Sequence, residues 1–320
     1  MTEQIRFMAE NSAEPTRILY CDPPHITVCI PTFKRPGLLS RCLDAIEKLE
    51  SRGFSYSVVV VDNDLEESAK EVVTGYRNRF SVALSYFVEP VQNISLARNR
   101  AIANAKGDFI AFIDDDEFPE PRWLLELFKT CRACSADGVL GPVIPSFEGT
   151  PPGWLIRSGL CTRKTFQTGV ELNNLRYMRG GNLLFRRDIS EGAPMVYDPR
   201  FGLTGGEDTD FFERMLNRER RFVWCDEAVV YEEVPKGRQN RAYHLRRAMI
   251  RGLTTADQFP SFGVGTLKSF VAVISYSLSL PLMLLAGHHL FMKYLIKDCD
   301  HLGKLLAYCG IKPVSKRTFQ

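Results

Sequence analysis

A five-residue apolar run, Phe109-Ile-Ala-Phe-Ile113, breaks off into Asp114-Asp115-Asp116-Glu117, and no other feature restricts the fold as much. A run apolar on both faces reads as a buried parallel strand, because a half-solvated strand would alternate. In open α/β sheets, ligands sit beyond the C-terminal ends of such strands. Adjacent carboxylates repel, so they collect where a cation or a positive ligand relieves the repulsion. In extended geometry Asp114 and Asp116 project to one side and Asp115 to the other. A Mg²⁺ or Mn²⁺ held by one or two such oxygens, and completed by water and substrate phosphates, fits this pattern. The competing reading is a solvated acidic loop, which seldom follows a buried strand so abruptly.

The rest of residues 26–144 supplies the strand's companions. Ile26–Ile30, Val58–Val61, Val82–Val88, Asp108–Ile113 and Val139–Ile144 read as strands, and Leu38–Leu49, Leu96–Ala105 and Trp123–Ala133 as helices. That alternation predicts an α/β fold: a Rossmann-like, mainly parallel sheet with helices on both faces. The crevice should then be lined by Thr32–Arg35, Asp62–Asp64 and Asp114–Glu117. Residues 145–180 are rich in Pro, Gly, Thr and Asn, and a connection of that length is usually functional or mobile. Leu183–Phe185, Phe222–Trp224 and Ala228–Tyr231 read as further strands, Phe211–Leu216 as a helix after Gly205-Gly206, and 238–258 as a basic helix.

Composition excludes several classes. A net charge of +3 leaves no nucleic-acid footprint overall. Nine scattered cysteines without framework spacing favour free thiols in a reducing compartment. Cys131 and Cys134 are spaced as on one helix turn, and no second pair completes a zinc site. Met1–Glu14 lacks an apolar stretch of signal-peptide type, so the catalytic part is expected in the cytoplasm. Ser269–Met292 is a 24-residue run without formal charge, long enough as a helix to cross a bilayer. Pro281 and Gly287 weaken a straight span, and Lys/Arg on both flanks oppose a single crossing. A membrane-associating segment is expected, either spanning or bent and interfacial.

Taken in order, several motifs resemble the inverting glycosyltransferases of family 2, which have the GT-A fold. They are Val28-Cys-Ile-Pro-Thr-Phe-Lys-Arg-Pro36, Val59-Val-Val-Asp62-Asn63, Asn93 with Ala97-Arg98-Asn99, Phe112-Ile-Asp-Asp-Asp116, Gly181-Asn182 and Gly206-Glu-Asp208. Each alone is weak; together they cover residues 25–252 and look most like exopolysaccharide enzymes of the succinoglycan type. The resemblance implies an N-terminal tail over 1–24, a GT-A domain over 25–262 and a hydrophobic, basic C-terminal region over 263–320. Within the domain, 25–144 would hold the nucleotide and 145–262 the acceptor.

The resemblance also implies roles. Pro31, Thr32, Arg35, Asp62, Arg98, Asp114 and Asp115 would bind a nucleotide-diphosphate sugar, with UDP as the expected nucleotide. Asp116 would ligate Mn²⁺ or Mg²⁺, a Lewis acid toward the leaving diphosphate. Asp208 would be the base that deprotonates the acceptor hydroxyl, and Glu207 and Asn182 would contact the acceptor. The competing reading is that Asp208 or Thr209 does no more than cap the Phe211 helix. Asp210 should turn away by helical spacing, and Glu117 reads as a mere neighbour. The acceptor implied is a glycan or a polyprenyl-diphosphate-linked glycan, at the cytoplasmic face of the inner or plasma membrane. The Gln-x-x-Arg-Trp motif of processive members is not matched at Gln239-Asn240-Arg241-Ala242, which points to addition of a single sugar. Arg241, Arg246 and Arg247 would meet a diphosphate or anionic headgroups. Two other readings compete: a catalytically silent nucleotide-sugar-binding subunit, and an Asp-x-Asp phosphatase. The phosphatase would need the motif after its first core strand.

Overall fold

The computed structural model describes residues 23–190, 195–203, 205–258 and 264–311. Residues 1–22 of the expected tail over 1–24 and the boundary near 262 lie outside them. In chain order the elements are β1 (His25–Thr32), α1 (Pro36–Ile46), β2 (Ser55–Asp62), α2 (Lys70–Arg77), β3 (Leu84–Val88), α3 (Ile94–Asn104) and β4 (Phe109–Phe112). Next come β5 (Glu117–Pro119), α4 (Trp123–Ala133), β6 (Gly138–Leu140), β7 (Val143–Phe147), α5 (Gly153–Ser158), β8 (Leu183–Arg186) and α6 (Glu207–Asn217). The remainder is β9 (Phe222–Trp224), β10 (Val230–Val234), α7 (Arg241–Gln258), α8 (Val264–Ala286) and α9 (His288–Tyr308).

Seven strands form one sheet in the order β3-β2-β1-β4-β8-β6-β9. β3, β2, β1 and β4 run parallel, and β8 inserts antiparallel between β4 and β6. Burial on both faces explains the continuous apolar strands. Ile26, Val28 and Ile30 of β1 pack with α1 and α4, while Cys29, Val61 and Phe112 pack on the other face with α3 and α6. The register pairs Thr32 with Asp62 at the ends of β1 and β2, so their polar tips emerge together.

The expected single strand Val139–Ile144 is in fact two. β6 belongs to the large sheet, and β7 to a second sheet ordered β5-β10-β7. Gly141-Pro142 makes the crossing: Pro142 has no N–H for a ladder, and a Cβ on Gly141 would lie 2.4 Å from the Ala228 carbonyl oxygen. The acidic run also continues into a strand, since Glu117–Pro119 pairs antiparallel with β10. That pairing was not legible in a cluster of like charges.

α7 packs on α9 rather than on the large sheet. Gly252 and Gly303 let the two backbones approach, and a Cβ on Gly252 would lie 2.2 Å from the Asp300 carbonyl oxygen. Trp154 and Leu155 of α5 join Ala248, Met292 and Ile296 in a separate small core. α8 lies against α9 through Ser277, whose hydroxyl donates to Asp298 at 2.9 Å, and through Tyr276, which contacts the Tyr294 and His301 rings.

Candidate active site

The strand ends and the start of α6 enclose a cleft of about 420 Å³. Thr32 at the tip of β1 donates to Asp115 Oδ2 at 2.8 Å. Arg35, just before α1, donates from one Nη1 to Asp115 at 3.3 Å and to Asp116 at 3.2 Å. The Arg238 guanidinium stands 3.7 Å from the same Asp116 oxygen. Asp116 therefore faces cations from two separate elements.

Asp114 is paired differently. Asn93 caps α3 by accepting from Leu96 N at 3.1 Å, and the helix thus started carries Arg98 inward. Arg98 is 4% exposed and its guanidinium lies over the Phe112 and Tyr197 rings. From there it donates to Asp114 at 3.1 Å and to the Gly180 carbonyl at 2.8 Å. The bare backbone of Gly180-Gly181 is what admits this layer. A Cβ on Gly180 would sit 2.6 Å from the Arg98 guanidinium, and one on Gly181 would sit 2.6 Å from the Glu117 carboxylate.

Glu117 is no mere neighbour. It is 2% exposed, and its carboxylate accepts from Asp114 N at 3.3 Å beneath the acidic turn. Burial holds its carboxyl well above the usual range, and the Asp114 charge adds to the rise. Asp115 is pushed up to about 7 by burial, against the opposing pull of Arg35. Asp114 and Glu207 are likewise raised by burial, with Arg98 working against it. The cleft thus holds carboxyls whose charge is costly until a cation arrives.

Asp208 lies in the first turn of α6, where Gly206 takes a left-handed φ of +104° to turn the chain into the helix. Its Oδ1 accepts from Thr209 N at 2.8 Å, and among the described residues no salt bridge ties it. Asp210 does turn away, into an ion pair with Arg214 at 2.8 Å. Glu207 lines the cleft beside Asp208.

Two residues expected to contact ligands are engaged by the protein around them. The Asp62 carboxylate is fully buried and already accepts from Ala69 N at 2.7 Å, Tyr86 Oη at 2.9 Å and Asp64 N at 3.1 Å. It shapes the loop after β2, and its neighbour Asn63 is the residue that lines the cleft. Asn182 accepts from Trp123 Nε1 at 2.8 Å and donates to Ala228 O at 2.7 Å and Pro142 O at 3.0 Å. Its amide clamps the strand crossing and faces a neighbouring cavity rather than this cleft. Pro31, Thr32, Arg35, Arg98, Asp114, Asp115, Asp116, Glu207 and Asp208 do converge on the cleft.

Of the basic helix, Arg247 reaches the cleft, held by Tyr243 Oη at 2.9 Å; Arg241 and Arg246 do not line it. Sequence reasoning missed Arg163, which lines the cleft and pairs with Glu232. It sits in an unpatterned loop, and no local signal marks it. The absent Gln-x-x-Arg-Trp motif has a structural counterpart: the Gln239 amide donates to the Glu148 and Val234 carbonyls and is buried.

A divalent metal fits the acidic turn in one way only. Among the described residues no three His, Cys, Asp or Glu side chains form a protein-only metal cage. Asp116 suits a cation whose remaining ligands are water and phosphate oxygens. The extended alternation expected of Asp114–Asp116 is replaced by a turn in which Glu117 N donates to the Asp114 carbonyl at 3.1 Å, so that Asp115 and Asp116 share Arg35 while Asp114 pairs with Arg98.

Residues 27–192 match the family described as glycosyl transferase family 2. The succinoglycan biosynthesis protein ExoM of Rhizobium meliloti is 36% identical over 235 residues, which are 72% of this chain and 74% of that protein. Two solved structures share the fold at low identity. One is Staphylococcus aureus TarS 1–349 in complex with UDP-GlcNAc, with a TM-score of 0.54 and 16% identity over 92% of this chain and 98% of that one. The other is the mannosyltransferase PcManGT of Pyrobaculum calidifontis with GDP-Man and Mn²⁺, with a TM-score of 0.59 and 18% identity over 88% and 87%. These likenesses establish the mixed α/β, GT-A-like fold with its mostly parallel sheet.

Proposed function

The chain belongs to glycosyl transferase family 2, and on that premise we propose that it moves one sugar from a nucleotide-diphosphate donor to a glycan hydroxyl, with inversion, in polysaccharide assembly. The observation that carries this reading is the meeting of Asp116 and Asp208 in one cleft, the first facing two arginines and the second tied to no cation among the described residues. Donor and acceptor chemistry need those two conditions. A leaving diphosphate calls for fixed positive charge, and an attacking hydroxyl calls for a carboxylate with a free oxygen.

Pro31, Thr32 and Asn63 offer the nucleotide a wall at the C-terminal ends of β1 and β2. Arg35, Arg163, Arg238 and Arg247 supply guanidinium groups for the diphosphate, in the planar fork geometry that suits phosphate oxygens. Asp116 would hold Mn²⁺ or Mg²⁺, which when bound supplies a Lewis acid for the departing nucleoside diphosphate. Asp208 takes the proton from the acceptor hydroxyl at its unpaired oxygen. Glu207 positions that hydroxyl, and Arg98 acts through Asp114 by fixing its carboxylate. UDP is the expected nucleotide, in keeping with the UDP-GlcNAc held by the TarS neighbour.

The reading extends to the membrane. Gly265–Ala286 is long and apolar enough to cross a bilayer by length and composition, with a mean hydropathy of 1.9. Its outward residues Leu267, Val271, Ile274, Leu278, Leu282 and Leu285 recur at helical spacing and leave one apolar face exposed. Its other face rests on α9, which carries Lys293, Lys297, Asp298, Asp300 and Lys304. A crossing would take those charges into hydrocarbon. α8 therefore lies in the plane of the interface, apolar face down, with the lysines meeting anionic headgroups of the cytoplasmic leaflet. α7 packs on α9 and also carries Arg247 into the cleft, so in this reading α7 joins the membrane-facing helices to the catalytic site.

The testing experiment is a screen of nucleotide sugars with Mn²⁺, reading which donor is consumed and whether a glycan acceptor gains one residue with inverted configuration. Consumption of no nucleotide sugar by the purified, folded chain, or product with retained configuration, defeats the reading. For the membrane part, alkaline carbonate should release the protein from vesicles; retention in the pellet would mean a true span.

A further inference from the structure

Beside the cleft lies a second cavity of about 580 Å³, bounded by Gly141-Pro142, the loop 160–165 and Trp224. Five cationic side chains line it (Arg163, Lys164, Arg176, Arg179 and Arg251), and no carboxylate does. Arg163 and Arg179 also line the first cleft, so the two cavities adjoin at those residues. Two of the five are already engaged: Arg163 with Glu232, and Arg251 with Asp300 at 3.0 Å. Lys164 is aimed by its ring contacts, 4.8 Å from the Phe166 centroid and 5.1 Å from that of Tyr177. Among the described residues, Lys164, Arg176 and Arg179 have no salt-bridge partner. Like charges converging on one concavity repel, and an anion that enters relieves the repulsion while gaining charge-assisted hydrogen bonds.

We propose that this cavity is an anion subsite of the acceptor, taking either a diphosphate that joins the glycan to its carrier or a carboxylate borne by the glycan. The inference rests on the glycosyltransfer reading above. It adds that the acceptor is anionic and approaches from the side of residues 160–179, past Arg163 and Arg179 into the cleft of Asp208. Residues 145–180 are then a length of chain with a task, and their lack of periodicity reflects cavity-building rather than packing. The Asn182 clamp gains a purpose too, since it fixes the Gly141-Pro142 crossing that forms one wall.

Lys164 and Arg176 line the second cavity and not the first, so they separate the two sites. Calorimetric titration of the full chain with inorganic pyrophosphate and with glucuronate, both without divalent metal, compares the parent with the K164A/R176A double variant. A parallel titration with UDP and Mn²⁺ reads the first cleft. The expected result is at least a ~10-fold loss of affinity for one anion with UDP affinity unchanged, since each lost charge-assisted contact is worth about a factor of ten. Greater loss with pyrophosphate assigns a carrier diphosphate, and greater loss with glucuronate assigns an acidic glycan. Anion affinity equal in parent and variant, no anion binding by the parent, or an equal loss for UDP overturns the subsite. A parent that binds the anion but no nucleotide diphosphate would instead strike the donor assignment and leave the subsite standing.

Discussion

The carboxylates after β4 and the carboxylate at the start of α6 line one cleft but are held in opposite ways. Asp114, Asp115 and Asp116 each meet an arginine, and Thr32 adds a hydroxyl to Asp115. Among the described residues, Asp208 has a single hydrogen-bond partner, Thr209 N. The first set is fixed in place and ready to hold positive charge. The second keeps an oxygen free at a helix start, where the macrodipole favours the anion and the first turn limits its motion. A group that positions charge needs partners, and a group that takes a proton must keep one site open.

Asp208→Asn should break the contrast most severely. Loss of the proton acceptor is expected to lower kcat by about 10²- to 10⁴-fold with donor affinity retained. A variant as fast as the parent in a single-turnover assay would remove Asp208 from the base role. Asp116→Asn comes next, with kcat/KM down about 10²- to 10³-fold and the stimulation by Mn²⁺ abolished. Transfer unaffected by exhaustive chelation in the parent would refute the metal assignment.

Asn182→Ala tests whether that residue clamps or binds. It would leave the Trp123 indole N–H and the Pro142 and Ala228 carbonyls buried without their partner, destabilising the fold by about 3 kcal/mol. Denaturant unfolding measures this, and a change in acceptor KM at unaltered stability would restore a contact role.

The smallest effect is a pH dependence. Burial raises Asp115 to about 7, whereas the unfolded chain titrates near 3.9. Between those values the folded state holds the extra proton. The stability this contributes is full below about pH 4 and lost as pH rises through about 7. The melting temperature of Asp115→Asn relative to the metal-free parent should therefore climb by a few degrees from pH 5 to pH 8. A difference flat across that range would mean that Arg35 keeps Asp115 ionised throughout.

Much of the site was legible because its signals are local. The apolar run 109–113 announces a strand, the acids after it announce the strand's end, and the parallel alternation says that other strand ends join it. Thr32, Arg35, Arg98 and Asp208 follow from that logic and from the ordered motifs. Asp62 and Asn182 were legible as positions but not as partners. Their side chains are consumed by Ala69, Tyr86 and Trp123, which lie at sequence distances that no motif records. Glu117 was misjudged for the same reason: beside three aspartates it looks solvated, yet β10 and Gly181 cover it.

From its sequence alone, the chain's alternating strands and helices, its crevice of strand ends, its acidic turn and its apolar C-terminal helix were already determined. Each depends on neighbours within a few residues, where backbone geometry converts spacing directly into direction. Tertiary structure alone decided which arginine meets which aspartate, where strand 139–144 changes sheets, that α8 turns one face outward while α9 keeps its charges beside it, and that a second cavity, whose charged lining is all basic, opens next to the first. Those outcomes depend on groups brought together from distant parts of the chain, and burial, which sets the energy of every charge here, exists only once they have met.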